Sequence, residues 1–284
     1  MENELIKIDA LLPPDMAKKA EAVGVAKANM NALKTFTLSV LAGSFIALGA
    51  VFFTTVTASA GVPYGILRLV GGLVFSLGLV LVIVGGAELF TGNNLIIMAW
   101  ASGKVKTKAV LKNWALVYAG NLAGALAMAV MVFISGQYRF GGGAIGVNML
   151  QIANAKSSLA FTDALMLGIL CNILVCLAVW LSFSARTITE KVAVIVFPIS
   201  AFVAAGFEHS IANMYFIPIG MLVKWYAPAA FWELAGTTPA VYEQITQLGF
   251  LWHNLLPVTI GNIIGGAGLV GLVYWFVYLR PTAK

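Results

Sequence analysis

Apolar positions run in long blocks along this chain, with no strand-like alternation. Residues 35–67 contain no Asp, Glu, Lys or Arg, and neither do 69–87, 113–138, 164–185 or 244–279. A helix needs about 20 predominantly apolar residues to cross a bilayer. Six spans follow, at about 35–57, 67–101, 113–135, 160–184, 191–224 and 248–279. The second and fifth are interrupted near their middles. The pattern predicts an all-α integral membrane protein.

The polar punctuation inside spans two and five is the informative part. The first break reads Gly86-Ala87-Glu88-Leu89-Phe90-Thr91-Gly92-Asn93-Asn94 and the second Gly206-Phe207-Glu208-His209-Ser210-Ile211-Ala212-Asn213. Both fit G-x-E-x4-N. Downstream of each comes a Gly-Asn-x-x-Gly: Gly120 to Gly124 in span three and Gly261 to Gly265 in span six. Two motifs in the same order in both halves indicate an internal duplication. The repeated unit holds three spans, an odd number, so the second copy must start from the opposite side of the membrane. Inverted repeats of this kind place substrate near the midplane, where broken helices meet.

The expected organisation is therefore an amphipathic helix in a cytoplasmic segment 1–34, a first repeat 35–135, an outer loop 136–159, a second repeat 160–279 and a tail 280–284. In the first segment Pro13-Pro14-Asp15 reads as a helix start. Met16, Ala20, Val23, Met30 and Leu33 then recur at helical spacing, opposite Lys18, Lys19 and Lys27. Two readings stand for this helix: an anchor on the membrane surface or a movable lid over a pore. Residues 1–34 show no apolar core of a signal peptide.

Charge adds orientation. Of the 284 residues 61% are hydrophobic and 10% charged, against roughly 25% charged in a soluble domain. The net charge is +6. Thirteen of the 17 Lys and Arg fall in the N-terminal segment, 102–112, 185–191 and the C-terminus. These segments share one side. Only Arg68, Arg139, Lys156 and Lys224 fall on the other. That bias puts both termini in the cytoplasm and explains the basic excess without a nucleic-acid partner.

The chemistry of the breaks follows from their backbone. Lipid satisfies no N–H or C=O group, so an opened helix must be buried in protein or line water. Half-helix N-termini present free N–H donors that suit an anion. Gly86, Gly92 and Gly206 permit the turns. Glu88 and Glu208 cost roughly 2.5 kcal/mol or more at mid-membrane depth. They read either as a proton relay or as structural acceptors of backbone N–H bonds; Asn93 and Asn213 complete each motif. His209 is the one histidine at that depth, and imidazole changes charge between about pH 5 and 8. Its position in the second break, opposite Thr91 in the first, favours a pore over helix packing. Asn172, mid-span, reads as interhelical glue or as a donor to substrate. Lys156 reads as a cation at a pore mouth or as a solvated lysine. Cys171 and Cys176 read as inert buried thiols. No P-loop, dinucleotide fingerprint, Cys/His metal cluster or catalytic constellation appears, so neither a cofactor nor an enzyme activity is expected.

Glu88-Leu89-Phe90-Thr91-Gly92-Asn93-Asn94, the segment Gly206 to Pro218 and the Gly-Asn-x-x-Gly pairs together resemble the formate/nitrite transporter family. The likeness covers essentially the whole chain. It implies an aquaporin-like fold and homopentamers in the bacterial inner membrane with a pore in each subunit. It also implies transport of formate first, with nitrite or hydrosulfide as alternatives. A neutral-solute channel of the aquaporin kind is a further alternative, against which stands the absence of Asn-Pro-Ala at either break. By the same resemblance His209, Thr91 and Asn172 are pore residues and Lys156 a vestibule lysine. The constrictions it implies are Phe75, Leu79, Phe202 and Val175, with Leu89 and Phe90.

Overall fold

A computed structural model describes residues 10–58 and 61–281. Residues 1–9 of the expected N-terminal segment and 282–284 of the tail lie outside them. The described residues form helices and no strand. Six helical stretches are long and apolar enough to span a membrane: Ala32–Val56, Tyr64–Gly85, Thr107–Ile134, Phe161–Ser184, Ile188–Ala205 and Gly249–Tyr278.

Helix α1, Pro13–Ala28, starts with proline in its first turn and Asp15 near its positive end, a placement that both residues favour. It ends at Ala28, so Met30 and Leu33 do not extend its apolar face; Leu33 belongs to α2, Ala32–Val56, and is 74% exposed. The buried face of α1 is Met16, Ala17, Ala20, Glu21 and Gly24. It packs against protein, where Met16, Ala17 and Ala20 join Leu95, Met98, Trp180 and Val270. Lys27, expected on the solvated side, points into the protein.

Span two is α3, Tyr64–Phe75, followed by α4, Leu77–Gly85. Gly86 then takes φ +77°, left-handed backbone that favours glycine. Leu89 is extended, and helix resumes as α5, Phe90–Asn93, a 3-10 turn and α6, Ile97–Ala101. Span five repeats the device. Helix α10, Ile188–Ala205, begins with a Thr187–Glu190 capping box and ends at Gly206, φ +79°. His209 is extended and α11, Ser210–Tyr226, follows. Both breaks are four residues long, 86–89 and 206–209.

The flanking spans pack alike. Span three is α7, Thr107–Ile134, lying on α2. Span four is α9, Phe161–Ser184, and lies on α13, Leu256–Ile263. A side chain on Gly124 would meet the Val40 carbonyl, and one on Gly265 the Ile169 carbonyl. These glycines allow the backbones their close approach. A short helix, α12, Ala229–Ala235, lies between spans five and six. Span six carries π-helical turns at Gly249–Leu255 and Ile264–Leu272 on either side of α13, and α14, Val273–Tyr278, closes it.

Helix α8, Ala144–Ser157, occupies the expected outer loop. Helix α7 begins beside α1, where Asn113 bonds the Lys27 carbonyl (3.2 Å). The turn after its far end, Gln137–Arg139, packs on α8. Helices α1 and α8 therefore cover opposite ends of the bundle.

Candidate functional site

Each break is held open by an asparagine from a Gly-Asn-x-x-Gly motif. Asn121 accepts the Phe90 N–H (2.9 Å) and donates to the carbonyls of Ser39 (2.7 Å) and Glu88 (2.9 Å). Asn262 accepts the Ser210 N–H (2.9 Å) and donates to the carbonyls of Gly168 (2.8 Å) and Glu208 (3.0 Å). The Glu88 and Glu208 N–H groups reach Leu38 and Leu167 carbonyls, both at 3.2 Å. These two asparagines satisfy backbone groups that the interruption leaves bare and lipid would not.

The two carboxylates sit in matching rings of side chains. Lys27 donates to Glu88 Oε1 (2.5 Å) and Asn93 to Glu88 Oε2 (2.7 Å). Asn93 also donates to Asn113 (3.0 Å), which returns to the Lys27 carbonyl. At the other end Lys156 donates to Glu208 Oε1 (2.7 Å) and Asn213 to Oε2 (2.6 Å). Asn213 also donates to Asn254 (2.6 Å), which returns to the Lys156 carbonyl (3.0 Å). Both Glu side chains are 6% exposed. A buried carboxylate persists as an ion only with such pairing. The partners of Glu88 and Glu208 are thus lysine and asparagine side chains, not the backbone N–H groups that one reading of the sequence assigned.

Between the rings the breaks meet. His209 Nε2 lies 2.9 Å from Thr91 Oγ1. Its Nδ1 accepts the Ala212 N–H (3.1 Å), capping α11. With Nδ1 occupied as an acceptor, the proton of a neutral ring resides on Nε2, which donates to Thr91. Phe202 stacks beside His209 (centroids 5.9 Å apart) and meets Phe75 edge to face (5.8 Å).

Three cavities line up through this point. One of about 380 Å³ opens at the α8 end and is lined by Lys156, Gly206, Glu208 and Asn213, with Phe75, Phe202 and His209 at its floor. One of about 220 Å³ opens at the α1 end, lined by Lys27, Gly86, Glu88, Gly92 and Asn93, with Leu79 and Leu89 at its floor. A void of about 10 Å³ lies between, walled by Phe75, Leu79, Leu89, Val175, Phe202 and His209. That is about the space one water needs, so the path narrows to a closed apolar throat.

Two expected residues are placed differently. Phe90 lines none of these cavities; its ring packs on Tyr118 (4.9 Å) and Trp114 (6.1 Å), because Asn121 fixes its backbone toward α7. Asn172 directs its amide to the Thr91 carbonyl (3.3 Å), Asn94 Oδ1 (3.0 Å) and the Asn262 carbonyl (2.7 Å). Its two N–H donors are therefore spent on protein, as glue between the breaks and span six. Thr91 touches His209 but borders none of the three cavities. Cys171 and Cys176 are buried and unbridged.

Sequence reasoning missed Lys27, Asn113 and Asn254, and gave Asn121 and Asn262 no role beyond their place in the repeated motif. A signal was present. Asn113 precedes Gly120 by seven residues and Asn254 precedes Gly261 by the same, so the shared motif is N-x6-G-N-x2-G.

Six membrane-length helices around two facing cavities and a narrow throat define a helical membrane protein built on a transbilayer path. A sequence model of formate/nitrite transporters matches residues 14–276, and the chain belongs to that family. It is 49% identical over 275 residues to the formate channel FocA of Escherichia coli strain K12, covering 96% of each chain. It is 42% identical over 272 residues to the formate channel FocA of Haemophilus influenzae, covering 95% of this chain and 96% of that one. A solved structure described as a pentameric formate channel with formate bound superposes with a TM-score of 0.84 at 45% identity, over 88% of this chain and 98% of that one.

Proposed function

We propose that this protein is a channel for small monovalent anions, formate foremost, with one conduit per subunit of a homopentamer. It sits in the bacterial inner membrane with both termini cytoplasmic, the orientation its lysine and arginine bias favours. The observation that carries the reading is the meeting of Thr91 and His209 at 2.9 Å, between two cavities that open at opposite ends.

The α8-end and α1-end cavities gather the anion. Phe75, Phe202, Leu79, Leu89 and Val175 form the apolar throat. Moving a carboxylate into a dry, low-dielectric site costs about 20 kcal/mol in the idealised limit and several in relaxed proteins. The throat therefore opposes a bare anion and passes formic acid more readily. The Thr91–His209 pair offers hydrogen bonds at the narrowest point. Because Nε2–H is directed at Thr91 Oγ1, the threonine hydroxyl hydrogen is left for a carboxylate oxygen once the throat opens to Thr91, which is buried in the closed arrangement. Protonation of Nδ1 would break its bond from Ala212. A neutral ring cannot give its Nε2 proton to formate, because that would leave an imidazolate, so in this arrangement the pair orients the carboxylate by hydrogen bonds and the proton that makes formic acid comes from water at the mouth. The throat side chains must rotate aside, since the void holds about one water.

The test is formate flux and current through the purified pentamer in proteoliposomes, from pH 5 to 8. Formate uptake with little net current supports passage as the acid. Glycerol or water flux without formate flux would refute the assignment.

A further inference from the structure

The two mouths differ by one charge. Lys27 and Glu88 are the charged side chains lining the α1-end cavity, and they cancel. The α8-end cavity has the matching Lys156–Glu208 pair and, in addition, Arg68. Among the described residues Arg68 faces no carboxylate within ion-pair distance. Its Nε–H donates to the Ala204 carbonyl (3.2 Å) and its Nη2 to the Val203 carbonyl. Its guanidinium lies over the Phe53 ring, 5.7 Å from the centroid.

Those carbonyls are the last turn of α10, immediately before Gly206. A helix C-terminus carries about half a negative charge, so Arg68 outweighs the dipole it caps. In the first half the corresponding carbonyls, Ile83 and Val84, receive no side-chain donor among the described residues. The capping is therefore not required for a break of this shape. Arg68 also borders a second open cavity of about 580 Å³, shared with Tyr64 and Gln151, so its charge faces solvent at the approach to the conduit.

We propose that Arg68, and not the neutralised Lys156, supplies the net positive charge of the α8-end mouth and concentrates small anions there. The role for formate rests on the channel reading above; the electrostatic claim does not. The passive permeability of a pore at low concentration is equal in both directions, so the asymmetry is read as local potential and half-saturation, not as one-way flux.

The experiment measures that potential directly. Cys171 and Cys176 are fully buried, so one introduced cysteine is the accessible thiol. Gln151→Cys reports the α8-end mouth and Val23→Cys the α1-end mouth. Each full-length pentamer is labelled with an anionic and a cationic methanethiosulfonate at low salt. The anionic-to-cationic rate ratio at Gln151→Cys should fall about fivefold on Arg68→Gln and stay near the parent value in Arg68→Lys, and 1 M salt should abolish the response. At Val23→Cys, where Lys19 and Lys27 flank the probe one turn away, the ratio should not move with residue 68. A Gln151→Cys ratio that ignores Arg68→Gln, or a Val23→Cys ratio that falls equally, would overturn the proposal. Arg68→Met takes the place of Arg68→Gln should that variant fail to assemble. Formate flux through the same proteins separates the two readings: a responding ratio without flux removes the channel and leaves the charge assignment standing. With flux present, Arg68→Gln should raise the half-saturating formate concentration several-fold from the α8 end.

Discussion

Lys27 stands to Glu88 as Lys156 stands to Glu208: each ammonium meets the first carboxylate oxygen, at 2.5 and 2.7 Å, while an asparagine five residues after the glutamate holds the second. The lysines come from different helices outside the six spans, yet close the same ring at opposite ends. Removing one lysine leaves a buried, unpaired carboxylate. Breaking such a pair typically costs about 3–5 kcal/mol. Lys156→Met should therefore destabilise the detergent-solubilised pentamer strongly. Lys156→Met combined with Glu208→Gln should recover much of the loss. Additive melting shifts in the double-mutant cycle would show that the pair is not coupled.

Asn121 and Asn262 each satisfy one N–H and two carbonyls at a break. Alanine at either position strands three buried backbone groups, at about 1–3 kcal/mol each. Asn262→Ala should prevent assembly or lower the melting temperature far more than Asn148→Ala, whose amide serves the Thr54 carbonyl at the rim. Asn262→Asp should not rescue it, because a carboxylate has no donor for the Gly168 and Glu208 carbonyls. A variant that melts like the parent would show that the breaks stand without these bonds.

Phe202 and Phe90 separate wall from packing. Phe202→Ala should widen the throat and admit larger monocarboxylates such as acetate at a rate approaching that of formate. Phe90→Leu should weaken the contacts with Trp114 and Tyr118, by about 1 kcal/mol, and leave the formate-to-acetate ratio unchanged. Side-by-side flux assays check both, and a selectivity change in Phe90→Leu would return that ring to the conduit.

Thr91→Val keeps the shape of residue 91 and deletes its hydroxyl. Loss of one net hydrogen bond, about 1 kcal/mol, predicts a fivefold to tenfold fall in formate flux with the pentamer intact. Thr91→Ser should restore most of it. Flux in Thr91→Val equal to that of the parent would remove the hydroxyl from the path.

Much of this was legible in the sequence. Charge-free blocks located the six spans, because a bilayer forbids unpaired charge over a length that helices must fill. The G-x-E-x4-N repeat located both breaks, because an opened membrane helix needs glycine and polar neighbours in sequence order. The rings were only half legible. Glu88 and Asn93 are neighbours in the chain, but their lysine comes from 61 residues away, and a lysine on an apparently solvated helix face gives no sign that it turns inward. Phe90 and Asn172 were misplaced for a related reason. Their types suit a pore, but which way each side chain faces is decided by Asn121, Asn94 and Asn262, contacts that spacing does not encode.

Helix α8 supplies Lys156 in the way that α1 supplies Lys27, so the unit that was copied is one helix longer than its membrane-crossing part. The repeat implies an ancestral half that carried its own counterion on a peripheral helix. Two such halves, inserted in opposite orientations, would have formed a complete conduit before their genes were joined. In that ancestor both mouths were identical by symmetry. Any difference between them today, including an unmatched arginine, arose as the two copies diverged.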